Sequence, residues 1–325
     1  MNKIKEFKRL LRLTQPQLHE YLCEVMPSYY EDDMIVDEYE NFLYCKGDIP
    51  VLLVAHLDTV HKTIPHEIYY DSEQDVMWSP QGIGGDDRNG VWSILEILDA
   101  GLLPSVVFTW NEEVGGIGAS HFCSVLSEED LSHINFAIQI DRRGKMDCVF
   151  YDLNNKEFEA YIEEYDFKTN IGSFSDISII CPHFKFAGVN LSSGYYNEHT
   201  SNEIIKVKDM EYTIERVINI LKDINEDDIR WDWNEIIRTG YGNWTYNFDK
   251  PKSTLDWCAN CQELVQSHDF ILEYDMCKSC VSKLNLPVKD TFYCDLCKRI
   301  EGVKDMYEHE GDLICRDCFE ALHRY

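Results

Sequence analysis

Three short stretches of the chain are apolar at nearly every position: Val51–Ala55 (VLLVA), Ser105–Trp110 (SVVFTW) and Ile134–Ile140 (INFAIQI). A strand with one wet face alternates apolar and polar residues, so a strand without that alternation is covered on both faces. The chain therefore needs helices above and below a sheet. Gly90–Leu98 (GVWSILEIL), between the first two runs, and Lys206–Asp223 (KVKDMEYTIERVINILKD) carry apolar residues at helical spacing. Strands alternating with helices predict an α/β layered sheet, in which active sites gather at the C-terminal ends of the strands.

The chemistry-bearing residues follow these runs. VLLVA leads into His56-Leu57-Asp58, and SVVFTW into Asn111-Glu112-Glu113. INFAIQI leads into Asp141. A glycine-rich turn, GIGGDDRNG (82–90), places Asp86 and Asp87 just before a helix, and His199 stands in GYYNEHTSNE. An imidazole with a carboxylate two residues on suits a metal ligand and its orienter. Adjacent glutamates repel unless cations or a shared proton compensate. Taken singly, HxD is a common chance pair, DD in a turn is a helix cap, and EE is solvated surface. Taken in order at strand ends, they form the mixed N/O donor set that two zinc ions sharing a carboxylate require.

AHLDTVH, GIGGDDRNG, TWNEEVGG, QIDRRG and YYNEHTSNE resemble, in this order, the motifs of the co-catalytic zinc aminopeptidase and carboxypeptidase superfamily. The likeness spans about residues 50 to 205. It implies a three-layer mixed sheet with helices on both faces, and two catalytic Zn2+. By position, His56 and Asp141 would bind one zinc, Glu113 and His199 the other, and Asp86 would bridge them, with a cis peptide to Asp87. Asp58 would fix the His56 ring. Glu112 would be the general base, drawing a proton from a metal-bridging water to make hydroxide and passing it to the leaving amine. Tyr195 or Tyr196 would donate to the oxyanion. Glu198, Glu203 and Asp176 are candidates for holding a free α-amino group, and Arg142 and Arg143 for a substrate carboxylate or for neutralising nearby acids. Only 57 residues separate Asp141 from His199, too few for the lid domain of the carboxypeptidase branch. The expected enzyme is a zinc metallopeptidase of aminopeptidase type acting on a peptide or small amide. The alternatives are a metal-dependent deacylase of small N-acyl substrates and a non-catalytic adaptor on a vestigial hydrolase fold.

Eight of the 13 cysteines form four CxxC pairs. Cys258/Cys261 and Cys277/Cys280 are 15 residues apart, and Cys294/Cys297 and Cys315/Cys318 are 17 apart. This spacing predicts a small module stapled by two structural Zn2+, paired in sequence order or crossed, and it resembles tandem zinc ribbons. Residues 1–225 are expected to form the hydrolase domain, 226–254 a linker packed partly on the body, and 255–325 the zinc module. The net charge of −29 argues against tight nucleic-acid binding by the whole protein, since a phosphate backbone needs a basic face, and against an anionic membrane surface. In the module lysines and arginines interleave with acids, which points to a protein partner or substrate gating. The N-terminal MNKIKEFKRLLRL lacks the apolar core of a signal peptide, and no later run is long enough to span a membrane. A cytoplasmic, reducing location is the expectation, with Cys23, Cys45, Cys123, Cys148 and Cys181 as buried thiols.

Overall fold

The chain divides into two compact units, Met1–Ile237 and Arg238–Tyr325. The computed structural model describes residues 3–30, 34–37, 41–224 and 230–234, and beyond these short backbone segments between 255 and 315. In the first unit the helices are α1 (Lys3–Leu10), α2 (Gln15–Val25), α3 (Pro27–Tyr30), α4 (Gly85–Asp99), α5 (Ile117–Val125), α6 (Lys156–Glu163), α7 (Ile177–Phe184) and α8 (Val207–Asp223). Its strands are β1 (Met34–Val36), β2 (Phe42–Cys45), β3 (Ile49–His56), β4 (Tyr69–Asp71), β5 (Val76–Trp78), β6 (Pro104–Thr109), β7 (Phe136–Arg142), β8 (Asp147–Val149), β9 (Lys168–Thr169), β10 (Ala187–Ser192), β11 (Tyr195–Tyr196) and β12 (Ile204–Ile205).

Eight strands form the main sheet in the order β1-β2-β6-β3-β7-β10-β8-β9. The central four run parallel, and β2 and β8 flank them antiparallel. The apolar run of β3 explains the layers. Val51, Leu53 and Ala55 join the core shared with α1, α2, α4 and α8, while Leu52 and Val54 join the opposite core with α5 and α7. Fully burying one such branched side chain is worth about 1.5–3 kcal/mol, so a strand of this composition is stable only between two helix layers. The α/β layered sheet expected from the apolar runs forms, and it is mixed with helices on both faces, as the resemblance implies. A second, four-stranded sheet, β11-β12-β5-β4, lies beyond what those runs predict. Its members are only two or three residues long.

Local chemistry sets the helix ends. At α2 the Thr14 hydroxyl accepts from Gln17 N at 3.4 Å while Gln17 Oε1 accepts from Thr14 N at 3.0 Å, a capping box. α4 starts earlier than the helical periodicity suggests, because Gly84 at φ +67° turns the chain into it. Asp86 and Asp87 keep non-helical dihedrals inside this first turn. After α8, Trp231 stacks on Tyr161 at 5.8 Å between ring centroids, and Ala187 N donates to Trp231 O at 2.7 Å.

Among the described residues, the second unit shows four two-stranded antiparallel ladders: Leu255–Trp257 with Leu264–Gln266, Phe270–Ile271 with Met276–Cys277, Thr291–Tyr293 with Ile300–Gly302, and Met306–His309 with Asp312–Cys315. Of the expected zinc cysteines, Cys258, Cys261, Cys280, Cys294, Cys297 and Cys318 lie outside the described residues, and Cys277 and Cys315 are described only as strand backbone. Among the described residues, no helix is long and apolar enough to cross a membrane.

Candidate metal centre

β3, β6 and β7 are adjacent and parallel, with His56 opposite Thr109 and Val54 opposite Gln139. Their C-terminal ends therefore bring His56, Asp58, Glu112, Glu113 and Asp141 to one edge of the sheet. The Gly84–Asp87 turn supplies Asp86 from α4, and the loop from β11 to β12 supplies His199. Ligand atoms of His56, Asp86 and Asp141 lie within 4.8 Å of one another, as do those of Asp86, Glu113 and His199. A third such group is His56, Glu112 and Glu113. His56 Nε2 is 3.0 Å from Asp86 Oδ1 and 3.7 Å from Asp141 Oδ1. His199 Nε2 is 3.2 Å from the other oxygen of Asp86 and 3.1 Å from Glu113 Oε1. Asp86 thus faces one imidazole with each oxygen. The Asp86–Asp87 peptide is cis, and His199 holds the left-handed conformation at φ +60°.

Asp58 organises two strand ends. Its Oδ1 accepts from His56 Nδ1 at 3.1 Å and from Glu112 N at 3.0 Å, and its Oδ2 from Glu113 N at 3.1 Å. Asp87 works in a similar way, with Oδ2 accepting from His56 N at 3.2 Å and Oδ1 from Gly90 N at 3.0 Å. The buried Arg88 guanidinium donates to the Leu57, Asp58 and Leu13 carbonyls, tying the segment after α1 to the His56 strand. This role for Asp87 and Arg88 has no signature in spacing. Only the adjacent GDDR run hints at it.

The electrostatics are unbalanced. Burial disfavours charge on His56, but the carboxylates of Asp141, Asp58 and Asp86 outweigh it and hold the ring well above the usual imidazole range. The carboxylates of Asp86 and Glu113 push His199 up to about 11. Burial opposes ionisation of Asp86, yet His199 and His56 hold its carboxyl well below the usual range. Burial and the charge on Asp86 drive Asp141 the other way, well above it. Burial, then the neighbouring Asp141, Asp176 and Glu113, raise Glu112 to about 9. Opposed shifts of this kind mark carboxylates packed without enough positive charge. Glu113 Oε1 is buried and, although His199 Nε2 stands close, no donor among the described residues is aligned to bond it. Two imidazoles and several carboxylates that converge in triads within 4.8 Å, with Glu113 Oε1 left without an aligned donor among the described residues, suit divalent cations of the zinc, cobalt or manganese kind.

Several expectations meet a different geometry. Tyr195 Oη is buried and donates to the Asp141 carbonyl at 3.0 Å, with Asp141 Oδ1 at 3.3 Å. Tyr196 Oη donates to Asp209 at 2.7 Å. Both hydroxyls are thus engaged within the protein rather than open to an oxyanion. Glu203 is buried against the Gly84–Asp86 turn rather than open to an amino group. Glu198 pairs with Arg143 at 2.6 Å, and Arg142 donates to the Ile171 carbonyl at 3.2 Å. Asp176 is 0% exposed. One of its oxygens takes the Thr109 hydroxyl, and the other has no hydrogen-bond partner among the described residues. Burial raises its carboxyl to about 6.

No family model and no curated protein matches the chain. Solved structures do. A tripeptidase from Staphylococcus aureus superposes with a TM-score of 0.54 at 16% identity, covering 68% of this chain and 97% of its own. A TET aminopeptidase from a marine-sediment archaeon, Thaumarchaeota archaeon, gives 0.53 at 14%, covering 69% and 97%. Aminopeptidase PepT from Bacillus cereus gives 0.51 at 16%, covering 68% and 97%. Identities this low establish a shared fold and nothing finer.

Proposed function

We propose that the chain is a di-metal hydrolase that cleaves a peptide or related amide bond, an exopeptidase of aminopeptidase type. The observation that carries this is the pair of three-ligand groups that share Asp86 at the C-terminal edge of parallel strands. His56, Asp86 and Asp141 would hold one divalent cation, and Asp86, Glu113 and His199 the other. When bound, such a pair supplies Lewis acidity toward a scissile carbonyl and toward water.

The protein's own groups do the rest. Asp58 holds the His56 ring by Nδ1 and leaves Nε2 facing Asp86 and Asp141. Through the Glu112 and Glu113 amides the same carboxylate sets the base and the ligand beside it in one frame. Glu112 stands beside His56 and Glu113 and forms no salt bridge with a lysine or arginine among the described residues, as suits a group that accepts and returns a proton. His199 is the half-exposed member of the two triads, whereas His56, Asp86 and Asp141 are buried. The aminopeptidase assignment draws support from the likeness to the three solved peptidases and from the short path between Asp141 and His199. The cysteine module would carry two further zinc ions with a structural role, and a protein partner would be its reader.

The test combines metal and turnover. Purified full-length protein is expected to carry about four zinc per chain, falling to about two in the His56→Ala, Asp86→Ala double variant. Loaded with zinc, cobalt or manganese, it is screened on aminoacyl anilides, short peptides and N-acyl amino acids. Glu112→Gln is expected to keep its metal and lose about 10²–10⁴ in kcat. Undiminished turnover in Glu112→Gln refutes the mechanism. Preference for N-acyl substrates moves the assignment to a deacylase. An empty site that no added cation fills leaves a binding protein on a hydrolase scaffold.

A further inference from the structure

Glu203 is 1% exposed, yet it is a carboxylate. A buried charge of this kind is stable only when its oxygens are filled by donors. Three fill them: Gly84 N at 3.0 Å and His61 Nε2 at 2.7 Å on Oε2, and Asp86 N at 3.0 Å on Oε1. Each donor comes from a different part of the site or lies beside a ligand. His61 stands five residues after His56, on the loop that leaves β3. Gly84 and Asp86 belong to the turn that begins α4. Glu203 itself stands four residues after His199, just before β12. One carboxylate therefore ties together the three segments that deliver His56, Asp86 and His199.

The surroundings leave the clamp little play. A Cβ at Gly82 (φ +83°) would lie 2.3 Å from the His61 ring, so the ring seats directly on the glycine. A Cβ at Gly85 would meet Tyr195 Cβ and Ile205 Cγ1 at 2.9 Å and Glu203 Oε1 at 3.2 Å. Fixing the Asp86 amide fixes where its side chain leaves the backbone, and that side chain must reach His56 with one oxygen and His199 with the other.

From this geometry we infer that Glu203 and His61 are positioning residues that set how tightly the shared carboxylate of Asp86 holds two cations. This role rests on the di-metal reading above. Neither residue belongs to the ligand triads, and each acts through the backbone of Asp86 and the loop that carries His199. Groups that orient a metal's ligands are worth about 10–100-fold in affinity.

The experiment uses the full chain with cobalt(II) as probe. Cobalt bound by thiolates absorbs intensely through sulfur charge transfer, and cobalt bound by nitrogen and oxygen absorbs weakly, so the two kinds of site are read separately. Glu203→Gln, His61→Ala and His61→Gln are titrated beside the wild type, with urea unfolding of each. Glu203→Gln and His61→Ala are expected to bind cobalt at the nitrogen–oxygen site about 10–100-fold more weakly and with an altered visible spectrum. His61→Gln, which keeps a side-chain N–H donor, is expected to recover much of that loss. Wild-type affinity in Glu203→Gln and His61→Ala overturns the positioning role, and so does a loss of stability without a loss of affinity in the folded protein. If Glu203→Gln does not fold, the two His61 variants decide. A wild-type chain that takes up no cobalt outside its cysteines removes the di-metal reading itself, a separate failure seen before any variant is compared.

Discussion

Gly90 lies in the first turns of α4, where alanine ordinarily helps: Ala stabilises a helix interior over Gly by about 1 kcal/mol. Here the sign should reverse. A Cβ at Gly90 would stand 2.4 and 2.6 Å from the two carboxylate oxygens of Asp87 and 2.7 Å from the Ile140 carbonyl. The carbonyl is β7 backbone in the middle of the sheet and cannot retreat. Asp87 can move, but only by giving up the bonds it accepts from Gly90 N at 3.0 Å and His56 N at 3.2 Å. Overpacking costs about 1–3 kcal/mol, and two lost hydrogen bonds cost about 1 kcal/mol each. After the helix gain is set against these, Gly90→Ala should lose about 2–4 kcal/mol. Urea unfolding followed by tryptophan fluorescence reads this as a lower midpoint at unchanged slope. Gly101→Ala is the control. Gly101 sits at φ +81°, and a Cβ there would meet nothing within 4 Å, so only left-handed strain of about 1–2 kcal/mol applies. A Gly90→Ala midpoint at or above the wild type would refute the packing argument.

Three further outcomes follow from the same geometry. Arg88→Lys cannot span the Leu57, Asp58 and Leu13 carbonyls and should cost about 1–3 kcal/mol; a variant within about 0.5 kcal/mol of wild type in urea would count against it. Tyr195→Phe removes the 3.0 Å donor of the Asp141 carbonyl, which keeps Asn190 Nδ2 at 3.3 Å, and should cost about 1 kcal/mol, with wild-type stability as the refuting result. Burial pushes the thiols of Cys45, Cys123 and Cys148 up to about 12 and that of Cys181 well above its usual range. These four should resist iodoacetamide at pH 8 in the native protein and react only after unfolding; peptide mapping that finds them alkylated at a free thiol's rate would contradict the burial.

The central strands are legible in the sequence because β3, β6 and β7 are buried on both faces and therefore carry nearly continuous apolar runs. The ligand segments are legible because each follows such a run or a glycine turn. Other parts have no local signature. β4, β5, β11 and β12 are too short to show a period, and they exist by pairing with one another. Glu203 reads as a free acid, since its donors at Gly84 and Asp86 are more than a hundred residues away in sequence. Tyr195 and Tyr196 stand close to His199 in the chain, but adjacent strand residues point to opposite faces. One hydroxyl therefore reaches Asp141 and the other Asp209.

The bonds from the Glu112 and Glu113 amides to Asp58 also bear on how the sheet finds its alignment. A strand that is apolar on both faces can slide by two residues against its neighbour and still bury the same kind of surface, so hydrophobicity alone specifies β3 against β6 weakly. A slip of two residues moves the end of β6 by about 6.6 Å, far outside hydrogen-bond reach of Asp58, and would strip a buried carboxylate of the Glu112 and Glu113 amides, leaving it the His56 ring alone. The carboxylate that orients His56 is thus also a stop that tells β6 where to come to rest.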